Sequence, residues 1–521
     1  MPYLNSNISL NNIEQTQEAP GPLSLAAQLH LFCVGKTGSG KTANVMLPMA
    51  LHAFSIPSSS LFIDPKDEYQ DLLDEAFTNE PERVVELGKK SERFNPFFYD
   101  SSTDFKEKVM QLYQSAPGTR TQDNGNNASF AARALALLNS FMTLSEDYFK
   151  KTGRIIFHDA NHLFFEIEKE PRHESSPTNR NSGEVDYDQP AFKRKNIFTI
   201  KNISKAENLD EVWEEQSPYE GFFQEFKNYI DNSFLDMVAG SIHDVLKALA
   251  DQAGISARIT NFLTSLPSKE YKRAAKEDQW FYSTTYFSIF FDLVLNKTVN
   301  HFMELEPFSN TCKDLTLHWD NQGIVYLRLN PALNDNAAFD FVGKRLKSLF
   351  FKYSFERKDR STRLFYICDE FHRFLTVDAD TGEQNYLDRC RSFNVTCALA
   401  TQSKQSLINA AEQQGQRGAA TAIDILMSNT PNKYFFGTTD ISTQELVDKL
   451  VPSPWISGVE KVSQTRPLST MAVGECYHFN ENGQWGIHRF DWNTVQAYKQ
   501  QLLTKIQNRH AANDSQSMSI A

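Results

Sequence analysis

Residues 33–42 read CVGKTGSGKT, directly after an apolar run, LHLFCV, that ends at Val34 and before ANVMLPMALHAF, a stretch compatible with a helix. Gly35, Gly40, Lys41 and Thr42 fit the pattern GxxxxGK[ST] in the strand–loop–helix context that gives the pattern its meaning. Glycines are needed there because the backbone must curl around phosphate oxygens and aim its N–H groups at them, while the helix N-terminus adds its dipole. The candidate nucleotide site is therefore Gly35, Lys36, Thr37, Gly38, Ser39, Gly40, Lys41 and Thr42. Lys41 neutralises the β/γ charge and Thr42 offers a hydroxyl to Mg²⁺.

A phosphate loop alone implies nucleotide binding; hydrolysis needs a strand ending in an acid for Mg²⁺, followed by a carboxylate that can polarise water. LFYICDE supplies both, with Asp369 on the Mg²⁺ shell and Glu370 as general base. Downstream, NVTCALATQSKQSL carries Thr401 and Gln402 at a strand end, where the amide of Gln402 can sense the γ-phosphate. Arg389 and Arg391 stand just ahead of that strand in DRCRSF, and Arg391 is the candidate for an arginine donated to a neighbouring subunit's transition state. No NKxD-like element stands where guanine selection would need it, so the expected cofactors are ATP and Mg²⁺. HDANH (158–162) has metal-like histidine spacing without a third ligand and is set aside.

The chain has 521 residues, long for one core, since single cores stop growing at roughly 250–300 residues. Short apolar β-rich runs fall in two blocks: LHLFCV, SSLFID (59–64) and RVVEL (83–87), then GIVYLRL (323–329), RLFYICDE (363–370), NVTCALA (394–400) and NKYFFG (432–437). Continuous apolar runs suit strands covered on both faces of a parallel sheet. The middle instead carries helical spacing, as in FAARALALLNSFMTL and FSIFFDLVLNKTVNHF. The expected fold is α/β: a RecA-like P-loop ATPase domain with a mainly parallel sheet, plus an inserted all-α domain. The boundaries are a flexible arm at 1–22, a discontinuous nucleotide-binding domain at 23–100 and 305–500, a helical domain at 101–304 and a disordered tail at 501–521. ECYHF and GIHRFDW flank NENGQW, whose Asn-Gly pair marks a hairpin turn.

A net charge of −12 excludes a surface that coats nucleic acid by bulk charge, so any such contact is local. Lys344, Arg345, Lys347, Lys352, Arg357, Lys358, Arg360 and Arg363 cluster, and read as a solvated helix face. Six cysteines without a CxxC pair imply a reduced, cytoplasmic setting. The first residues lack a secretory signal, and no segment reaches the roughly 18 apolar residues of a spanning helix.

The order of CVGKTGSGKTANVMLPMAL, LFIDPKDEY, RFNPF, LFYICDEFHRF, DRCRSFNVTCALATQSKQSL and SNTPNKYFFGTTDISTQELVDKL resembles the type IV secretion coupling ATPases of the TraG/TraD class, within the FtsK/HerA group of RecA-like motors. The resemblance runs over most of residues 30–490. The DPK segment, the FNP and RSFNV…TQSKQSL are its discriminating parts. It implies a homo-oligomer, a hexamer with ATP and DNA, that engages DNA or a relaxase–DNA complex and feeds it to a secretion channel with other secretion or conjugation proteins. By matching position it assigns Lys41 and Thr42 to nucleotide and Mg²⁺, Asp369 and Glu370 to the acidic pair, and Gln402 to the sensor role, and it leaves Asp64 and Lys66 without a role. Two departures stand out. Family members usually begin with membrane helices, so attachment here is expected only through a partner at the inner membrane, if at all. Family loops usually carry DPKGE where this chain has DPKDE (Asp64 to Glu68), and losing glycine removes backbone freedom at that turn. The alternative to a DNA-translocating motor is an ATP-gated adaptor that recognises protein substrates without translocation. A regulatory NTP-binding protein is a third.

Overall fold

The computed structural model describes residues 30–89, 92–96, 106, 109–110, 112–113, 116, 126–169, 221–235, 242–255, 274–305, 312–329, 335–377, 382–414, 418–451 and 465–518. The expected arm at 1–22 lies outside them.

Among the described residues, nine strands form one sheet: β1 (His30–Val34), β2 (Ser58–Asp64), β3 (Val84–Glu86), β4 (Ile324–Arg328), β5 (Arg363–Cys368), β6 (Val395–Thr401), β7 (Asn432–Phe436), β8 (Glu475–Phe479) and β9 (Trp485–Arg489). Their order is β3-β4-β2-β5-β6-β1-β7-β8-β9. Pairing is parallel from β3 through β7, and β7-β8-β9 is antiparallel. The α/β expectation is borne out. Its central strands are buried along their whole length, which is why they read as unbroken apolar runs rather than alternating ones. Closing the antiparallel edge, Phe479 pairs with Trp485 across the Asn-Gly hairpin, with Gly483 at φ 72°.

The chain divides into two compact units: Met1–Pro96 with Lys297–Met303 and Thr311–Ala521, which holds the sheet, and Phe97–Asn296 with Glu304–Asn310, whose described elements are all helical. The helical unit has an aromatic core in which Phe141, Phe157, Phe226 and Tyr229 meet edge-on, tilted or, for Phe226 and Tyr229, stacked, at centroid distances of 4.8–6.2 Å. The segment Lys297–Met303, placed with the helices by the sequence reading, groups with the sheet. Phe302 packs on Phe339 at 5.8 Å and its carbonyl accepts the Phe94 N–H.

The expected disordered tail at 501–521 is corrected over its described residues, 501–518. A helix spans Trp492–Met518, and Val495, Leu502, Leu503 and Ile506 are buried in the same core as Met49, Ala50 and Phe54 of the helix Leu47–Ser55. These apolar positions recur at helical spacing on one face, and the polar residues between them obscure the pattern in composition.

The basic cluster is also partly structural. Lys347 is fully buried and paired with Glu383, and Arg357 donates to the carbonyls of Thr362 (2.7 Å) and Phe393 (2.6 Å). Among the described residues, no helix is long and apolar enough to cross a membrane.

Candidate nucleotide site

Strands β5, β6 and β1 are neighbours and parallel, so the segments leaving their C-terminal ends emerge side by side. The phosphate loop leaves β1 and is tied to both flanking strands: the Gly35 N–H donates to the Thr401 carbonyl (3.2 Å) and the Lys36 N–H to the Gly437 carbonyl (3.0 Å). Gly35 allows this approach, because a Cβ there would lie 2.6 Å from Cβ of Phe436. Gly40 has φ 99°, a conformation that side-chain-bearing residues rarely adopt, and its own added Cβ would meet Asn44 at 2.6 Å. The loop is clamped from outside by the Gly474 N–H, which donates to the Ser39 carbonyl at 3.0 Å. Thr42–Met46 winds as a π-helical turn before the helix Leu47–Ser55, a local unwinding common at functional sites.

Lys36, Thr37 and Gly38 are exposed at the rim. Lys41 is buried, with its ammonium donating to the carbonyls of Gly35 (2.6 Å) and Lys36 (3.2 Å). Burial pulls its pKa below the usual lysine value, and Asp369 opposes the shift. The Ser39 hydroxyl is buried in the loop and has no hydrogen-bond partner among the described residues, which fits a loop that takes up phosphate oxygens.

The Thr42 hydroxyl donates to Oδ2 of Asp369 at 3.0 Å, joining residues 327 apart in sequence. Asp369 is buried at the end of β5, and its N–H is held by the Ile63 carbonyl of β2 at 3.2 Å. A hydroxyl and a carboxylate side by side at the base of a phosphate loop form a hard oxygen pair suited to Mg²⁺. The donor set therefore fits that cation.

Glu370 follows in the left-handed region, φ 48°, with its N–H on Oδ1 of Asp369 (2.8 Å). A strained backbone of this kind costs roughly 1 kcal/mol and is held by its surroundings. Here the surroundings are explicit. Gln402 Nε2 donates to both carboxylate oxygens (3.1 and 3.0 Å), Lys66 forms an ion pair with Oε1, and His372 Nε2 lies 3.5 Å from Oε2. Burial alone would raise the Glu370 pKa; Lys66, then Gln402 and His372, reverse this and hold it below the ordinary carboxylate value. Asp369, Glu370, Gln402, Lys41 and Thr42 thus come together.

Arg391 does not join them. It is exposed in a 3₁₀ turn, Arg391–Phe393, at the N-terminal end of β6. Seven strand residues separate it from the site end of β6, roughly 23 Å at 3.3 Å per residue. It therefore lies outside this site. Arg389 stacks over Phe355 at 5.1 Å.

The sequence reading missed Lys66 and His372 as site residues. Lys66 belongs to the DPKDE turn, whose shape is now explained. Asp67 takes φ 59°, the conformation glycine would favour, and its carboxylate is held by Arg328 at 2.9 Å, which in turn pairs with Glu86 at 2.6 Å. Aspartate tolerates this region better than most residues, so the turn is kept without glycine.

Among the described residues, His30, Cys390 and Cys397 form a buried group with ligand atoms within 4.8 Å of one another. His30 Nδ1 accepts the Cys397 N–H (3.2 Å), which places its proton on Nε2, facing Cys390 Sγ at 3.8 Å. A metal-bound histidine normally donates its other nitrogen to an acceptor, so this is a hydrogen-bonded thiol–imidazole group rather than a metal centre.

Residues 14–252 match the family model for type IV secretory system conjugative DNA transfer. The match bears out the resemblance drawn from the motifs. A search of curated proteins gave no match. Solved structures of similar fold include the plasmid coupling protein TrwB in complex with the non-hydrolysable GTP analogue GDPNP (TM-score 0.51, 12% identity) and with ADP and Mg²⁺ (TM-score 0.50, 12% identity). A trigonal form of the bacterial conjugative coupling protein TrwBdeltaN70 with sulphate is a third (TM-score 0.50, 13% identity). In each case the alignment covers 89% of this chain and 85% of the other. At such identity the likeness is one of fold.

Proposed function

We propose that this chain is an ATP-hydrolysing motor of the type IV coupling class, which recruits and moves DNA or a DNA–protein substrate as a homo-hexamer. The observation that carries the reading is the Thr42–Asp369 bond with Glu370 beside it, which unites a phosphate loop with an acidic strand end from a distant part of the sequence. The family match over residues 14–252 supports the conjugative setting, and the nucleotide and Mg²⁺ in the TrwB complexes support the cofactors.

In this reading the loop N–H groups and Lys41 hold the phosphates, and Thr42 and Asp369 would hold Mg²⁺, which would supply neutralisation of the phosphate charge. Glu370 accepts a proton from the attacking water, and Gln402, hydrogen-bonded to that base, links the γ-phosphate position to β6. Arg391, placed far from its own site, is left to serve a neighbouring subunit in the ring.

Steady-state ATP hydrolysis with and without single- and double-stranded DNA tests the motor. Stimulation by DNA, and loss of binding or turnover in Lys41→Ala, are expected. Equal rates with and without DNA, together with no DNA binding, would sink the motor reading and leave the ATP-gated adaptor, which fits the acidic net charge of −12.

A further inference from the structure

We propose that Lys66 is the positioning residue for Glu370, fixing the carboxylate where it can act on water, an inference that rests on Glu370 being the base. Sheet register brings the two together. Strands β2 and β5 are parallel neighbours with Ile63 opposite Cys368, so Lys66, three residues beyond the first, arrives beside Glu370, two residues beyond the second.

The turn that presents Lys66 is rigidly built. Asp64, fully buried, accepts the N–H groups of Lys66 (3.0 Å) and Tyr69 (3.1 Å) and the hydroxyl of Tyr326 (2.8 Å). Arg328 anchors the next residue, Asp67. Nothing else in this turn carries a positive charge, so the buried Asp64 anchors the backbone that aims one ammonium at one carboxylate.

Glu370 is consequently gripped from both neighbouring strands, by Lys66 beyond β2 and by Gln402 beyond β6. A buried carboxylate without a cation is costly and moves toward whatever will solvate it. Without Lys66, Gln402 restrains it from one side, with two hydrogen bonds from a single nitrogen, and His372, whose Nε2 lies 3.5 Å from Oε2, is the other side chain left at the carboxylate. Since a misplacement of about 1 Å at a reacting group can cost about a hundredfold in rate, the lysine sets turnover through the base rather than through the nucleotide.

The test uses the full chain and four variants: Lys66→Ala, Lys66→Arg, Glu370→Gln and Lys66→Ala/Glu370→Gln. Single-turnover hydrolysis and titration with a fluorescent ATP analogue are measured on each, with thermal melting as a check on folding. Lys66→Ala should lower the rate at least about tenfold while nucleotide affinity stays within about twofold, and Lys66→Arg, which keeps the charge, should recover most of the rate. In the Glu370→Gln background the alanine change should cost less than about twofold, because a residue acting through the base has nothing left to position. Equal losses in both backgrounds, or a tenfold loss of affinity with the rate intact, would show that Lys66 acts on the nucleotide itself and overturn the proposal. If the wild type turns over ATP and Lys66→Ala does so equally well, this inference alone falls. A wild-type chain that neither binds nor hydrolyses ATP would overturn the proposed function and this inference with it.

Discussion

Replacing Lys347 by methionine should destabilise the sheet unit sharply, although the residue lies in a run that looks like surface charge. Lys347 is fully buried, and its ammonium donates to the Phe374 carbonyl (2.5 Å), to the Thr376 hydroxyl (3.1 Å) and to Glu383, itself fully buried. Methionine fills much of the volume of the stem but supplies no donor. Glu383 then keeps only the N–H (2.7 Å) and hydroxyl (3.0 Å) of Thr376, and the Phe374 carbonyl loses a donor. Stranding one partner of a buried pair costs about 3–5 kcal/mol, and the two surviving Thr376 bonds put this case near the lower figure. In a unit of this size that corresponds to a fall of roughly 4–6 °C in melting temperature, read by scanning calorimetry. The companion Lys347→Met/Glu383→Leu should regain at least half the loss, since an apolar pair removes the stranded charge. The reasoning fails if Lys347→Met melts within about 2 °C of wild type, or if the double variant is no more stable than the single.

Glu370→Gln should keep ATP affinity and lower turnover by about 10²–10⁴, measured by nucleotide titration beside phosphate release; full activity would remove the base assignment. Leu503→Ala should cost about 2–4 kcal/mol, because the side chain is buried against the core under the helix Leu47–Ser55, and urea unfolding would show it as a lower midpoint. In the helical unit, burial pushes the His243 pKa down to about 3, and the neutral ring is within 2.6 Å of the Tyr229 hydroxyl. The unfolded chain takes up that proton at about 6.5, so the contribution of His243 is fully present above this pH and is lost as pH falls from about 6.5 toward 3. Stability measured between pH 7 and pH 5 should therefore fall more steeply in wild type than in His243→Phe.

Much of the site was legible because its chemistry demands particular residues at fixed spacing. Gly35, Gly40, Lys41 and Thr42 can be read from ten consecutive letters, and Asp369 and Glu370 from an acidic pair ending an apolar strand. Lys66 was visible as a letter but not as a role, because its partner is 304 positions away and only the pairing of β2 with β5 makes them neighbours. Arg391 was legible as a candidate for a neighbouring subunit's site, and the structure adds only that it is exposed at the end of β6 away from the phosphate loop. The C-terminal helix escaped because four buried apolar residues, Val495, Leu502, Leu503 and Ile506, are diluted by polar neighbours that face outward.

By itself the sequence determined what backbone and side-chain chemistry fix locally: where strands begin, that a glycine loop can cradle phosphate, that a carboxyl pair ends β5, and that the middle is helical. Strand order and pairing belong to the tertiary structure. They decide that β1, β5 and β6 lie side by side, that Thr42 reaches Asp369, and that Lys347 and Glu383 are hidden while Arg391 is exposed. The physical reason is that burial and charge pairing depend on which distant segments meet. In the phosphate loop's case, the segments that complete it return more than 300 residues later.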